Sequence, residues 1–241
     1  MSNLLPNTFA QHIDKEYLQT LPLVQFDGDV MVVDSPTKVG EAIGYLSLQN
    51  LLGVDTEARP SFTRGTHYPT ALAQVATEER CFLFRLTHIG MPRALGEIFA
   101  NPDICKVGLA FRDDLNGLRR RRVFVPANCV DIQSIARKYG IMELGLQKIF
   151  AIIFGQRISK SQQLTNWENN HLTPEQARYA ATDAWATLLI YKQLMRTEPL
   201  PPEVVEALRR AELEAQQRHQ QEVLAQRMNQ NNHDDHPTQT A

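Results

Sequence analysis

Two carboxylates stand two residues apart in Leu51-Leu52-Gly53-Val54-Asp55-Thr56-Glu57-Ala58. The run starts apolar and reads as a strand. Side chains alternate across a strand, so Asp55 and Glu57 share one face. Like charges side by side on an apolar strand are unfavourable unless something offsets them. Further along, Tyr179 and Asp183 are four residues apart in a helical stretch, one turn from each other on one face. Ala180, Ala181, Ala184 and Ala186 surround them and permit close approach. A third acidic site, Asp113-Asp114, follows the strand-like KVGLAF. Carboxylates converging from three elements would repel one another, and hard divalent ions remove that conflict. Mg²⁺ and Mn²⁺ prefer oxygen ligands. Two such ions about 4 Å apart can clamp a phosphodiester, activating water on one side and stabilising the leaving oxygen on the other. A nearby tyrosine could orient or deprotonate that water.

The elements that must position these residues are legible in outline. Val30–Val33 reads as a short strand, with Ser35 or Thr37 capping a helix through GEAIGYLSLQ. TALAQVAT and CFLFRLTH read as strands parted by the turn residues Glu78-Glu79-Arg80. Pro92 begins a helix through ALGEIFA, Lys106–Phe111 is strand-like, and Asp113-Asp114 open a helix through LNGLRR. Asn128–Ile132 is a short strand followed by helical IQSIARKYG. Leu146–Phe154 is an apolar helix stopped by Gly155. Thr173 caps the helix carrying Tyr179 and Asp183, with Pro174 first and Gln176 completing a capping box. Early strands and later interleaved helices argue for an α/β fold, a mixed sheet flanked by helices.

These elements occupy residues 26–200, preceded by an arm over 1–25 with a short helix. A charged helix over 201–228 and a disordered tail over 229–241 complete the expected organisation. The 241 residues are 43% hydrophobic and 22% charged, an ordinary globular balance, and the net charge of −2 names no partner. A protein coating long duplexes without sequence preference would be more basic. Cys81, Cys105 and Cys129 have neither disulfide nor zinc spacing and read as small core residues. The N-terminus lacks a secretory pattern and no apolar run approaches a membrane span, so the cytoplasm is the default expectation.

Taken together, Asp55-x-Glu57, Val107-Gly108 followed by Asp114 after five residues, and Tyr179-x-x-x-Asp183 resemble the three motifs of the DEDDy 3′-5′ exonucleases. Within that family the chain resembles Werner-type exonuclease domains and ribonuclease D, over roughly residues 30–197. CFLFRL, KVGLAFRDDLNGL and TNWENNHLTPEQARYAATDAWATLLIYKQL carry the rest of the resemblance.

The resemblance implies a ribonuclease H-like sheet with helices on both faces. It also implies a magnesium- or manganese-dependent hydrolase that binds DNA or RNA with a free 3′ end and releases nucleoside 5′-monophosphates. By position, Asp55 would bridge two metal ions, Glu57 and Asp183 would complete the tighter site, and Glu57 would meet the terminal hydroxyl. Asp114 would help hold the second ion through water, and Tyr179 would position the attacking water. Asp113 and Asp114 are adjacent; counting from Val107-Gly108 favours Asp114, leaving Asp113 as a helix cap.

Plainer readings stand beside these. Asp55 and Glu57 could be an exposed edge pair, and Tyr179 a packing residue. Arg59, Arg64 and His67, in the loop after the first motif, are candidate nucleic-acid contacts or simply solvated. Lys160 and Trp167 precede the third motif; Trp167 could stack on a base or pack beneath the site. Arg119–Arg122 is a phosphate-binding run or a solvated basic loop, and Asp131 caps or shapes its loop. His233 and His236 around Asp234-Asp235 read as solvated tail residues. The rival function is a nucleic-acid-binding module that keeps the fold without cleaving; intact Asp55, Glu57, Asp114, Tyr179 and Asp183 favour the enzyme.

Overall fold

The computed structural model describes residues 9–63, 65 and 67–234. Its centre is a six-stranded mixed sheet. The strands are β1 (Asp29–Val33), β2 (Leu51–Ala58), β3 (Thr70–Ala76), β4 (Arg80–Arg85), β5 (Cys105–Gly108) and β6 (Cys129–Asp131). Their order is β1-β4-β3-β2-β5-β6. β2, β3 and β4 pair antiparallel, while β1 joins β4 in parallel, and β5 and β6 extend β2 in parallel. β2 therefore lies inside the sheet, between a hairpin partner and a crossover partner. The edge-pair reading of Asp55 and Glu57 is thereby set aside.

Helices cover both faces. On one lie α2 (Pro36–Leu46), α4 (Arg93–Ala100) and α5 (Phe111–Arg121), packed on Val54, Ala73, Val75, Phe82 and Phe84. On the other lie α6 (Ile132–Ala136), α7 (Leu146–Phe154) and α8 (Pro174–Met195). α8 starts as the capping box requires: the Thr173 hydroxyl accepts from the Gln176 amide, and the Gln176 side chain accepts from the Thr173 amide. Gly155, at φ 64°, ends α7. The left-handed region costs glycine little, which makes it an effective helix stop.

Several expectations shift. CFLFRLTH is strand only to Arg85; Leu86–Ile89 forms a short helix, α3. The helix expected to open at Asp113-Asp114 begins at Phe111, so Asp113 lies within its first turn and is not the cap. That position falls to Ala110, at φ 50°. The arm is docked over residues 9–25. Its helix α1 (Lys15–Thr20) buries Leu18 against Ile13 and Ala151; the Val24 amide donates to the Arg157 carbonyl, and the Arg157 amide to that of Pro22. The four-arginine run is the end of α5 rather than a loop. Arg121 donates to the Thr70 and Leu86 carbonyls and Arg122 to that of Met91. Cys81 is buried, Cys105 and Cys129 are half-buried, and all three are free thiols.

The chain divides into two units, residues 1–199 and 200–241. The second is one helix, α9 (Pro202–Asp234). It runs six residues past the expected start of the tail at 229, and residues 235–241, with His236, lie outside the described residues. No described helix is long and apolar enough to cross a membrane.

Candidate active site

The site depends on how closely α8 can approach β2. A Cβ added to Gly53 would lie 2.1 Å from the Ala184 carbonyl oxygen and 2.9 Å from Leu188 Cβ. The helix backbone thus rests directly on the strand, and Ala180, Ala181 and Ala184 form its buried contact surface. Larger residues at these positions would hold the two elements apart. Instead Asp183 descends to the level of Asp55 and Glu57. Ligand oxygens of Asp55, Glu57 and Asp183 all lie within 4.8 Å of one another. The same-face reading of the first motif and the one-turn spacing of the last are both realised in this cluster.

Asp114 arrives from the far side of β2. Thr56, between the two motif carboxylates, points to the opposite sheet face, and its hydroxyl donates to Asp114 Oδ1 at 2.6 Å. Asp113 is exposed. Of the adjacent pair, Asp114 is therefore the one turned inward against β2, although it is not among the three carboxylates whose oxygens lie within 4.8 Å of one another. Its approach is fixed at the start of α5. Asp131 Oδ2 accepts from the Phe111 amide at 2.9 Å, while its Oδ1 accepts from the Gln133 amide at 2.8 Å. One β6 carboxylate thus anchors two helix starts. Holding Ala110 in the left-handed region costs about 1–2 kcal/mol, a strain this anchoring helps sustain.

The electrostatics express the convergence. Burial, then the charge of Asp183, raises the Asp55 carboxyl well above the usual range. Burial, then Asp55, Asp183 and Asp114, pushes Glu57 up to about 10. Asp114 rises to about 8, from burial and Asp55, with Thr56 opposing. Asp183 rises to about 7 through burial, relieved by its hydrogen bond with Tyr179 and by the charge of Lys160. The Tyr179 phenol is raised above its ordinary value by burial and by Asp183 and Glu57. Packed together and buried, these carboxyls give up their protons less readily than exposed carboxylates do. Hard oxygen donors packed this closely, with Tyr179 and Lys160 offsetting Asp183, fit a divalent cation of the Mg²⁺ or Mn²⁺ type.

A cleft of about 270 Å³ opens onto the cluster. Asp55, Glu57, Tyr179 and Asp183 line it with Gln147, Ser159, Lys160 and Gln163. Gln147, buried at the start of α7, donates to the Ile158 carbonyl and so ties down the segment bearing Ser159 and Lys160. Lys160 is exposed at the rim, as a phosphate contact requires.

The other candidate contacts divide. Arg59 lies 3.7 Å from Glu168 and over the Tyr68 ring at 4.9 Å, which orients it beside the loop. His67 is exposed, and Arg64 lies outside the described residues. Trp167 corrects the stacking expectation. It is fully buried, with its ring 6.0 Å from that of Tyr179, so it supports the tyrosine from beneath and presents no face to a base. Thr56, Gln74 and Gln147 went unremarked in the sequence. A lone amide inside the apolar strand TALAQVA was the available signal for Gln74.

The fold has counterparts among known proteins. A family model described as 3′-5′ exonuclease matches residues 30–197, and the chain belongs to that family. Among curated relatives, the human exonuclease mut-7 homolog is 28% identical over 186 residues, covering 63% of this chain and 20% of that protein. The mouse bifunctional 3′-5′ exonuclease/ATP-dependent helicase WRN is 28% identical over 193 residues, covering 76% of this chain and 14% of that protein. The chain thus spans about a fifth or less of these relatives.

Among solved structures, the Aedes aegypti Nibbler EXO domain superposes with a TM-score of 0.65 at 24% identity, covering 77% of this chain and 99% of that one. Escherichia coli RNase D gives 0.62 at 24% identity, covering 70% and 44%. At these identities the structural likeness speaks to the fold, which is ribonuclease H-like.

Proposed function

We propose that this protein is a two-metal 3′-5′ exonuclease that removes nucleotides from a DNA or RNA 3′ end and releases 5′-monophosphates. The observation that carries the proposal is the convergence of Asp55, Glu57 and Asp183 within 4.8 Å at the floor of an open cleft. Trypanosoma brucei RNase D, a fold neighbour with a TM-score of 0.65, has been solved in complex with RNA U12. By analogy with that neighbour's RNA, a nucleic-acid strand is the occupant read for the cleft here.

In this reading Asp55, Glu57 and Asp183 would hold the divalent ions, and Asp114 would assist from the neighbouring helix. A pair of bound divalent ions supplies positive charge, a more acidic water and stabilisation of the leaving oxygen. The Tyr179 phenol keeps its proton and is hydrogen-bonded to Asp183, so it orients the attacking water rather than deprotonating it. Glu57 meets the terminal 3′ hydroxyl. Lys160 meets a phosphate at the rim, and Arg59 and His67 flank the incoming strand.

The test is a degradation time course with 5′-labelled single-stranded DNA, RNA and recessed duplex in Mg²⁺, Mn²⁺ or EDTA. A metal-dependent ladder shortening from the 3′ end, absent in Asp55→Ala and Asp183→Ala, is expected. Binding of these strands without cleavage in either metal would replace the enzyme with a binding module.

A further inference from the structure

β3 is buried along its whole length, and Gln74 is its polar residue at the centre. Gln74 is 0% exposed. Among the described residues, neither its side-chain oxygen nor its amide nitrogen has a hydrogen-bond partner. Its cross-strand neighbour on β4 is Leu83, and the same-face neighbours along β3 are Leu72 and Ala76. All three are apolar. Its neighbour on β2 is Asp55, directly opposite in the antiparallel register. Directly opposed residues share a face and bring their Cβ atoms to about 4.5–5.5 Å. A buried amide without partners is unfavourable, and an apolar side chain of similar volume would fill the space without that penalty. Packing therefore does not account for this residue, whereas the carboxylate beside it does.

We propose that Gln74 is a positioning residue for Asp55: in the metal-loaded protein its side-chain N–H donates to the Asp55 carboxylate and orients that carboxylate as a ligand. The inference rests on the two-metal reading of the cluster. A hydrogen bond from behind restricts the rotation of a carboxylate and leaves its remaining lone pairs aimed into the cleft. Outer partners of this kind are worth about 10–100-fold in metal affinity. Gln74 touches neither substrate nor ion, so its effect should appear in metal binding before any substrate is added.

The experiment is a calorimetric Mn²⁺ titration of the full chain without nucleic acid, comparing wild type with Gln74→Met, Gln74→Leu and Asp55→Asn, beside melting curves in EDTA. Gln74→Met should bind Mn²⁺ at least about tenfold more weakly while melting in EDTA at or above the wild-type temperature, because the orphaned amide has gone. Wild-type affinity in a folded Gln74→Met would overturn the assignment and leave the metal reading intact. Absence of Mn²⁺ binding by wild type would overturn both. Should both Gln74 variants fail to fold, the side-chain ¹⁵N–H₂ resonances of Gln74 in the wild type decide. They should shift on Mg²⁺ addition and stay fixed in Asp55→Asn; unmoved resonances in Mg²⁺-loaded wild type would refute the proposal.

Discussion

Replacing Asp183 by Asn should stabilise the protein in EDTA and destabilise it relative to wild type in Mn²⁺. At separations of no more than 4.8 Å, two full charges at an effective dielectric near 20 repel by about 3 kcal/mol or more. The cluster escapes part of this by retaining protons, at a cost of its own. Raising Asp183 from 3.8 to about 7 corresponds to roughly 4 kcal/mol near neutral pH, at about 1.4 kcal/mol per unit. Asn carries no charge and keeps an acceptor for Tyr179, but its buried amide costs about 1–2 kcal/mol. The net gain is about 2 kcal/mol, which for a domain this size means a melting temperature higher by roughly 4–8 °C. Mn²⁺ at a hundred times its dissociation constant adds about 2.7 kcal/mol to wild type and little to the variant, so the ranking should cross. Differential scanning calorimetry at pH 7.5, in EDTA and in MnCl₂, measures both. A variant that melts below wild type in EDTA would refute the reasoning, because repulsion would then not be the dominant property of the cluster.

Other predictions extend the same physics. The folded state raises its clustered carboxyls and so binds more protons than the unfolded chain; stability in EDTA should fall as pH rises from 5.5 to 8.5, through the values near 7 and 8 of Asp183 and Asp114. Urea midpoints at the two pH values check this, and saturating Mg²⁺ should flatten the slope. Gly53→Ala drives a methyl into the Ala184 carbonyl, and should cost about 1–3 kcal/mol as overpacking while weakening Mn²⁺ binding through a displaced Asp183. Asp131→Ala frees the Phe111 and Gln133 amides; a loss of about 2 kcal/mol or more should appear in denaturant melts, with turnover reduced as α5 loses its anchor. Tyr179→Phe should lower turnover about a hundredfold with Mn²⁺ affinity held within about twofold, separating water orientation from metal binding in single-turnover and titration data.

Much of the site was legible before any tertiary structure was known, because its parts are local. Alternation put Asp55 and Glu57 on one face, and helical spacing put Tyr179 over Asp183. Thr173, Pro174 and Gln176 marked where that helix begins. These are consequences of backbone period and capping chemistry, which neighbouring residues decide among themselves. The resemblance carried further, to the family and its fold.

What the sequence left open depended on direction and depth, which only packing sets. Spacing from Val107-Gly108 favours Asp114 over Asp113, but which of the two turns inward follows only once α5 is known to start at Phe111 and Thr56 is seen to hold Asp114. Trp167 is a plausible stacking platform until it is found sealed beneath Tyr179. The basic run reads equally as a phosphate contact or a solvated loop until Arg121 and Arg122 are seen to donate to three backbone carbonyls, with Arg119 and Arg120 left exposed. Gln74 is an unremarkable polar residue in a strand until the register sets it opposite Asp55 with nothing to bond. Local order follows from the period of the backbone. The partners of a side chain follow from which distant segments close over it, and here the approach of α8 to Gly53 decides that acidic residues from separate elements form one site.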